Sequence, residues 1–257
     1  MFFRLIPFFV FLCCCTACSH REMEPPEPDP AAAYAYFPLQ TGRFIEYAVD
    51  SLLFDFAPDG GTQRDSVRVY LREQVGEPFL DPTGTLRFPI ERYERSQPTE
   101  AWTLKNVWSA GRTTTQAIRT EDNLRFLRLV FPLNRTTRWD GNRWIDESVE
   151  LTIAGETIRP FENWSYRVDG LDAPGAVGLF AFDSLLTVTE ADHTNALERR
   201  WSEAQYAKNI GLVRREQWIL DSQYCNNNPP PTDCATKPWQ EKAEKGFVVR
   251  QLAINWN

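Results

Sequence analysis

The sequence predicts a mainly β protein: one curved antiparallel sheet, a half-barrel, with one or two short helices. Three observations predict it. Apolar and polar residues alternate over many short runs, the period of a half-buried strand. Asp59-Gly60-Gly61 and Asp140-Gly141-Asn142 supply hairpin turns. A helical pattern is found only from Ala196 to Lys208, with one further turn offered by Phe161 to Tyr166.

The elements follow in chain order. Met1 to Arg4 carries one positive charge, and Leu5 to Cys15 is an apolar stretch of signal-peptide length. It is too short to span a bilayer, which needs ~20 apolar residues. Four of the six cysteines lie between Cys13 and Cys18. Cys13, Cys14 and Cys15 are adjacent, so their sulfurs diverge and do not chelate one metal easily. They act there as small hydrophobes. Cys15-Thr16-Ala17-Cys18 resembles a bacterial lipobox, with Cys15 where leucine is usual. Residues 1–17 are therefore expected to be a lipoprotein signal peptide and Cys18 the lipidated N-terminus. An ordinary cleaved signal peptide is the alternative, because Ala17 suits that cut as well.

Residues 18–33 are rich in proline and acid and lack apolar periodicity, the composition of a disordered tether. Residues 34–257 are expected to form a single antiparallel β domain of roughly 220 residues, enough for a sizeable core. The whole chain carries a net charge of -7, and loss of the signal peptide removes Arg4. An acidic domain argues against nucleic acid as a partner, since phosphate contacts need a basic surface.

Within the domain, strands are expected at Ser66–Arg72, Leu86–Phe88, Leu124–Leu129, Leu186–Thr189, Gly211–Leu220 and Phe247–Ile254. Tyr36-Phe37-Pro38-Leu39 is echoed by Val130-Phe131-Pro132-Leu133, which reads as repeated turn chemistry rather than duplication. Cys225 and Cys234 close a ten-residue loop. Outside the cytoplasm such an isolated pair is most simply a disulfide.

Three segments carry a resemblance. YFPLQTGRFIEY, LRFLRLVFPLNRTTRWDGN and YAKNIGLVRRE resemble the opening, middle and late segments of uncharacterised exported outer-membrane lipoproteins of the Bacteroidota type. That resemblance implies a half-barrel similar to the lipoprotein carriers LolA and LolB, an outer-membrane lipid anchor, and no catalytic residues. Asp50-Ser51-Leu52, Asp65-Ser66-Val67 and Asp183-Ser184-Leu185 resemble O-glycosylation sites of such proteins, and are ordinary turn chemistry as well.

Catalytic motifs are missing from the sequence. His20 lies in the tether and His193 in a loop, EADHTN, so neither suggests a triad or a zinc-binding pair. Gly175-Ala176-Val177-Gly178 reads as a turn. Asp50, Asp55, Asp59 and Asp65 could offer oxygens to calcium but match no EF-hand and read as a solvated turn. No cofactor and no metal are expected. Of nine tryptophans, Trp102, Trp108 and Trp139 are the candidate ligand-binding residues on a concave face, with core packing as the competing role. Two functions stand. One is a non-enzymatic lipoprotein, lipid-anchored in the membrane, that binds an apolar ligand or an envelope protein. The other is a surface protein that binds or hydrolyses glycans.

Overall fold

The computed structural model describes residues 30–57, 61–153 and 155–257. The expected signal peptide, Cys18, His20, most of the tether and Asp59-Gly60 lie outside them. A short helix α1 (Pro30–Tyr34) straddles the expected start of the domain and sends Ala33 into the core.

Fifteen strands follow among the described residues. They are β1 (Phe44–Phe56), β2 (Thr62–Val75), β3 (Phe79–Leu80), β4 (Leu86–Arg95), β5 (Thr103–Arg112), β6 (Gln116–Glu121), β7 (Leu124–Val130), β8 (Arg138–Trp139), β9 (Leu151–Ile153), β10 (Glu156–Ile158), β11 (Trp164–Val177), β12 (Phe180–Thr194), β13 (Glu198–Ala207), β14 (Gly211–Asp221) and β15 (Lys245–Trp256). A four-residue helix α2 (Trp239–Lys242) precedes the last strand. All six strands expected from alternation are present.

Thirteen strands form one antiparallel sheet in the order β7-β6-β5-β4-β2-β1-β15-β14-β13-β12-β11-β8, with β3 beside β4. Most neighbours are joined by hairpins. One exception is central: β1 pairs with β15, so the first and last strands weld the two halves. Right-handed strand twist and the four register shifts between β11 and β12 curl the sheet. Its ends then meet. The Leu127 amide of β7 donates to the Gly141 carbonyl just beyond β8 at 2.8 Å, and Trp139 Nε1 donates to the Leu127 carbonyl at 2.9 Å. The half-barrel expected from sequence is thus a nearly closed barrel.

Several local expectations are corrected. Ala196 to Lys208 is not a helix but β13, flanked by turn residues. Its alternate residues Arg200, Ser202, Ala204 and Tyr206 are all buried. Their period of two and the ladder to β14 override a composition rich in good helix formers. Phe161-Glu162-Asn163 forms a turn, and Trp164 already belongs to β11. Asp140-Gly141-Asn142 opens a turn, with the Asn142 amide on Asp140 Oδ1 at 3.0 Å, but it does not join hairpin partners, because β8 pairs with β11. His193 lies in β12 rather than a loop, 3.1 Å from Glu198. Gly175, Ala176 and Val177 belong to β11, and Gly178 alone takes the left-handed turn conformation, at φ 59°. Asp50 is bound by the Arg68 guanidinium through two contacts of 2.5 and 2.7 Å.

The main hydrophobic cluster runs from α1 through β6, β7 and β11 to β13, with the echoed Phe37 and Phe131 both buried in it. The Tyr34 ring meets Phe131 edge-on at 4.9 Å. A smaller cluster, including Phe54, Leu220 and Val248, packs beside α2. Cys225 and Cys234 are joined by a disulfide with Cα atoms 5.3 Å apart. Loop-closure entropy gives that cross-link about 2.5 kcal/mol. Replacing both cysteines by alanine should therefore lower unfolding free energy by about that amount in a denaturant titration. An unchanged midpoint would show that the prolines of the loop already supply the constraint.

Candidate functional site in the barrel lumen

Period two decides what enters the barrel. On β2, Leu71, Glu73 and Val75 line it. On β14, Arg215, Gln217 and Ile219 do, and on β15, Phe247, Val249 and Gln251. Three cavities occupy this lumen. The first, of about 70 Å³, lies where the chain enters the barrel and is walled by Phe37, Leu39, Phe44, Ile45, Val75 and Ile90. The second, of about 180 Å³, is the polar waist between Glu73, Arg92, Trp108, Gln217 and Gln251. The third, of about 340 Å³, is walled by Phe126, Leu151, Ile153, Phe161, Trp164 and Phe247. Arg215 borders all three, so they adjoin one another along the lumen.

A chain of alternating charges crosses the waist. Arg92 of β4 lies 3.1 Å from Glu73 of β2, and Arg119 of β6 lies 2.6 Å from the same carboxylate. Arg119 is also 3.1 Å from Glu121, two residues along on the same face. Glu121 is 2.8 Å from Arg128 of β7, which is 3.2 Å from Glu190 of β12. Glu190 is in turn 3.1 Å from Arg215 of β14. Arg128 and Glu190 are 3% and 0% exposed. Ser202 donates to Glu190 at 2.7 Å, and Arg128 also reaches the Tyr166 hydroxyl at 3.4 Å.

Burial alone would neutralise the Glu73 and Glu121 carboxyls, but the guanidinium groups overrule it. Burial pushes Glu121 up, while Arg128, Arg119 and Arg215 together hold it down at about 2. Glu73 is lowered as well: Arg119 and Arg92 outweigh its desolvation. Burial and the charge of Glu73 push Tyr47 well above 10, so its hydroxyl stays protonated and donates to the Leu212 carbonyl at 2.9 Å. Neither Glu73 nor Glu121 is thus a proton donor near neutrality, and a carboxylate pair sharing acid and base roles is not served here. The lumen therefore presents fixed charges near neutrality.

This has a pH consequence. The folded pKa of Glu121 lies below its ordinary 4.5. Its contribution to stability is therefore present above that value and is lost as pH falls towards about 2. The thermal midpoint should drop steeply across that interval. A midpoint that stays flat there would contradict the ion chain.

The three tryptophans singled out from sequence do not converge. Trp108 lines the lumen: its Nε1 donates to Asp122 at 3.0 Å, and the Arg92 guanidinium lies 3.6 Å over its ring. Trp139 is buried in the seam against Tyr166, with ring centres 5.5 Å apart. Trp102 is half-buried beside Arg95 and Arg72, at 4.0 and 5.2 Å. No flat face carrying these three tryptophans exists.

The charged residues were missed by sequence reasoning, which assigned polar positions of strands to solvent. One signal could have found them. Arg214 and Arg215 are adjacent in a strand, so one of the two must face inward. Among the described residues no group of three or more His, Cys, Asp or Glu side chains is placed to hold a metal ion, and no helix is long and apolar enough to cross a membrane.

No family model and no curated protein match the chain. Two crystal structures resemble it. One is of a "putative lipoprotein" from Parabacteroides distasonis, 10% identical, covering 86% of this chain and 98% of the other with a TM-score of 0.37. The second is of a "putative exported protein with YmcC-like fold" from Bacteroides fragilis, 11% identical over the same shares, with a TM-score of 0.36. Similarity at this level decides neither fold nor function.

Proposed function

We propose that the protein is a cell-envelope lipoprotein, anchored in the outer membrane through Cys18, whose barrel binds an apolar ligand in its lumen. The observation that carries this reading is the chamber itself: three cavities share Arg215, and the largest has aromatic and aliphatic walls. Trp108, the one candidate tryptophan that borders it, sits at the waist. Phe37 and Leu39, which wall the first cavity, follow directly on the N-terminal segment, so that cavity lies at the tethered end of the barrel. Residues 19–29 between anchor and α1 reach at most ~40 Å when extended, which keeps this end close to the bilayer.

An envelope protein partner would use the outer surface, and the glycan reading would need an exposed aromatic platform. The placement of Trp102, Trp108 and Trp139 supports neither. Delipidated protein titrated with a naphthylamine dye whose emission rises in apolar surroundings should show saturable binding, displaced by fatty acid. A linear, unsaturable response would defeat the ligand reading. The anchor is checked separately by intact mass of the membrane fraction, where an acylated N-terminal Cys18 is expected. A soluble protein beginning at an unmodified Cys18 would contradict it.

A further inference from the structure

We infer that the ligand is an amphiphile with one anionic head, a carboxylate or a phosphate monoester, received by Arg215 and Arg128 where both border the third cavity. The inference rests on the reading of the lumen as an apolar-ligand chamber and adds the chemistry of the ligand's polar end.

The ion chain alternates Arg92, Glu73, Arg119, Glu121, Arg128, Glu190, Arg215, beginning and ending in arginine. Four guanidinium groups face three carboxylates, so the waist holds one positive charge in excess. Asp122, at the rim of the third cavity, is exposed, accepts from Trp108 and Asn106, and forms no ion pair with the chain.

The two ends of the chain differ. Arg92 is closed off: its guanidinium is stacked on Trp108 at 3.6 Å while its Nε bonds Glu73. Arg215 is open. It bonds a single Glu190 oxygen, Oε1, which Arg128 uses too. The Nε atoms of both Arg215 and Arg128 are buried without a hydrogen-bond acceptor. Two buried donors left unsatisfied are costly, and two acceptor oxygens on one anionic group would satisfy both.

Position then fixes the rest of the ligand. Arg215 and Arg128 border both the first and the third cavity, and the third, of about 340 Å³ against about 70 Å³, is the one with room for an alkyl chain. A head bound there leaves its chain among Phe126, Phe161, Trp164 and Ile153. A cationic head would meet the excess positive charge, and a neutral apolar ligand would leave both Nε donors orphaned.

Calorimetric titration of the delipidated, full mature chain at neutral pH tests this with four probes. Dodecanoic acid and dodecyl phosphate should each bind about tenfold or more tighter than dodecanol, the gain of charge-assisted hydrogen bonds. Inorganic phosphate alone should bind far more weakly than the alkyl phosphate. Arg215→Gln should remove the preference for acid over alcohol, and Arg215→Lys should retain part of it. If Arg215→Gln fails to fold, the wild-type comparison of acid with alcohol decides alone. Dodecanol binding as tightly as the acid would overturn the anionic head while leaving the apolar chamber standing. Inorganic phosphate binding as tightly as the alkyl phosphate would overturn the amphiphile. No binding of any alkyl probe would overturn the chamber itself.

Discussion

Glu190→Gln is expected to lower unfolding free energy by about 3–5 kcal/mol, the cost of removing one partner from a fully buried ion pair. Glu190 is 0% exposed and is the carboxylate shared by Arg128 and Arg215. The glutamine keeps its size, so the loss reports charge and not packing. Arg128 would keep Glu121, whereas Arg215 would be left buried with no counter-ion within salt-bridge distance. Chemical denaturation of wild type and variant measures the effect. Replacing Arg128, Glu190 and Arg215 together by apolar residues of similar volume should recover most of it, because well-packed apolar groups often match a buried ion cluster in stability. A recovered triple variant that has lost its preference for acidic amphiphiles would assign the charges to recognition. A change of under about 1 kcal/mol for Glu190→Gln would mean that water screens the waist.

Trp139→Ala is expected to cost about 3–5 kcal/mol, as for a large aromatic removed from a packed core. Trp139 is 8% exposed, stacks near Tyr166, and ties β8 to β7 through the Leu127 carbonyl. Its loss removes packing and a seam hydrogen bond together. Trp102→Ala should cost far less, about 1 kcal/mol, because its contacts with Arg95 and Arg72 are cation–π interactions on a half-exposed surface. Paired denaturant midpoints test the contrast. Equal losses at both positions would show that the seam carries no special share of the barrel's stability.

The strands were legible because one face of each is apolar and the other polar. Ser66 to Arg72 behaves in that way. The stretch 196–208 was not legible as a strand, because Ala196, Glu198, Arg199, Glu203 and Ala204 are helix formers by propensity. What sets it as β13 is its pairing with β12 and β14, which no local window contains. Barrel closure was hidden for the same reason: it rests on Leu127 meeting Gly141 and Trp139 across a turn whose path only the fold supplies. The lumen charges were hidden by a rule that is usually sound. A strand arginine normally faces water, yet Arg119, Arg128 and Arg215 face inward because Glu73, Glu121 and Glu190 meet them from other strands. Two of these pairings, Glu73 with Arg119 and Glu190 with Arg215, join residues 46 and 25 positions apart. Trp108 and Trp139 look alike in sequence, and only their positions relative to the seam separate a lumen residue from a core residue.

The most direct test of the lumen as a ligand chamber is tryptophan emission during titration with a fatty acid brominated near the end of its chain. Bromine quenches an indole only at contact range, and Trp164 borders the third cavity while Trp201 packs against Trp218 elsewhere. Saturable quenching is expected, reduced in Trp164→Phe and unchanged in Trp201→Phe. Quenching that does not saturate, or that ignores the loss of Trp164, would contradict the ligand chamber.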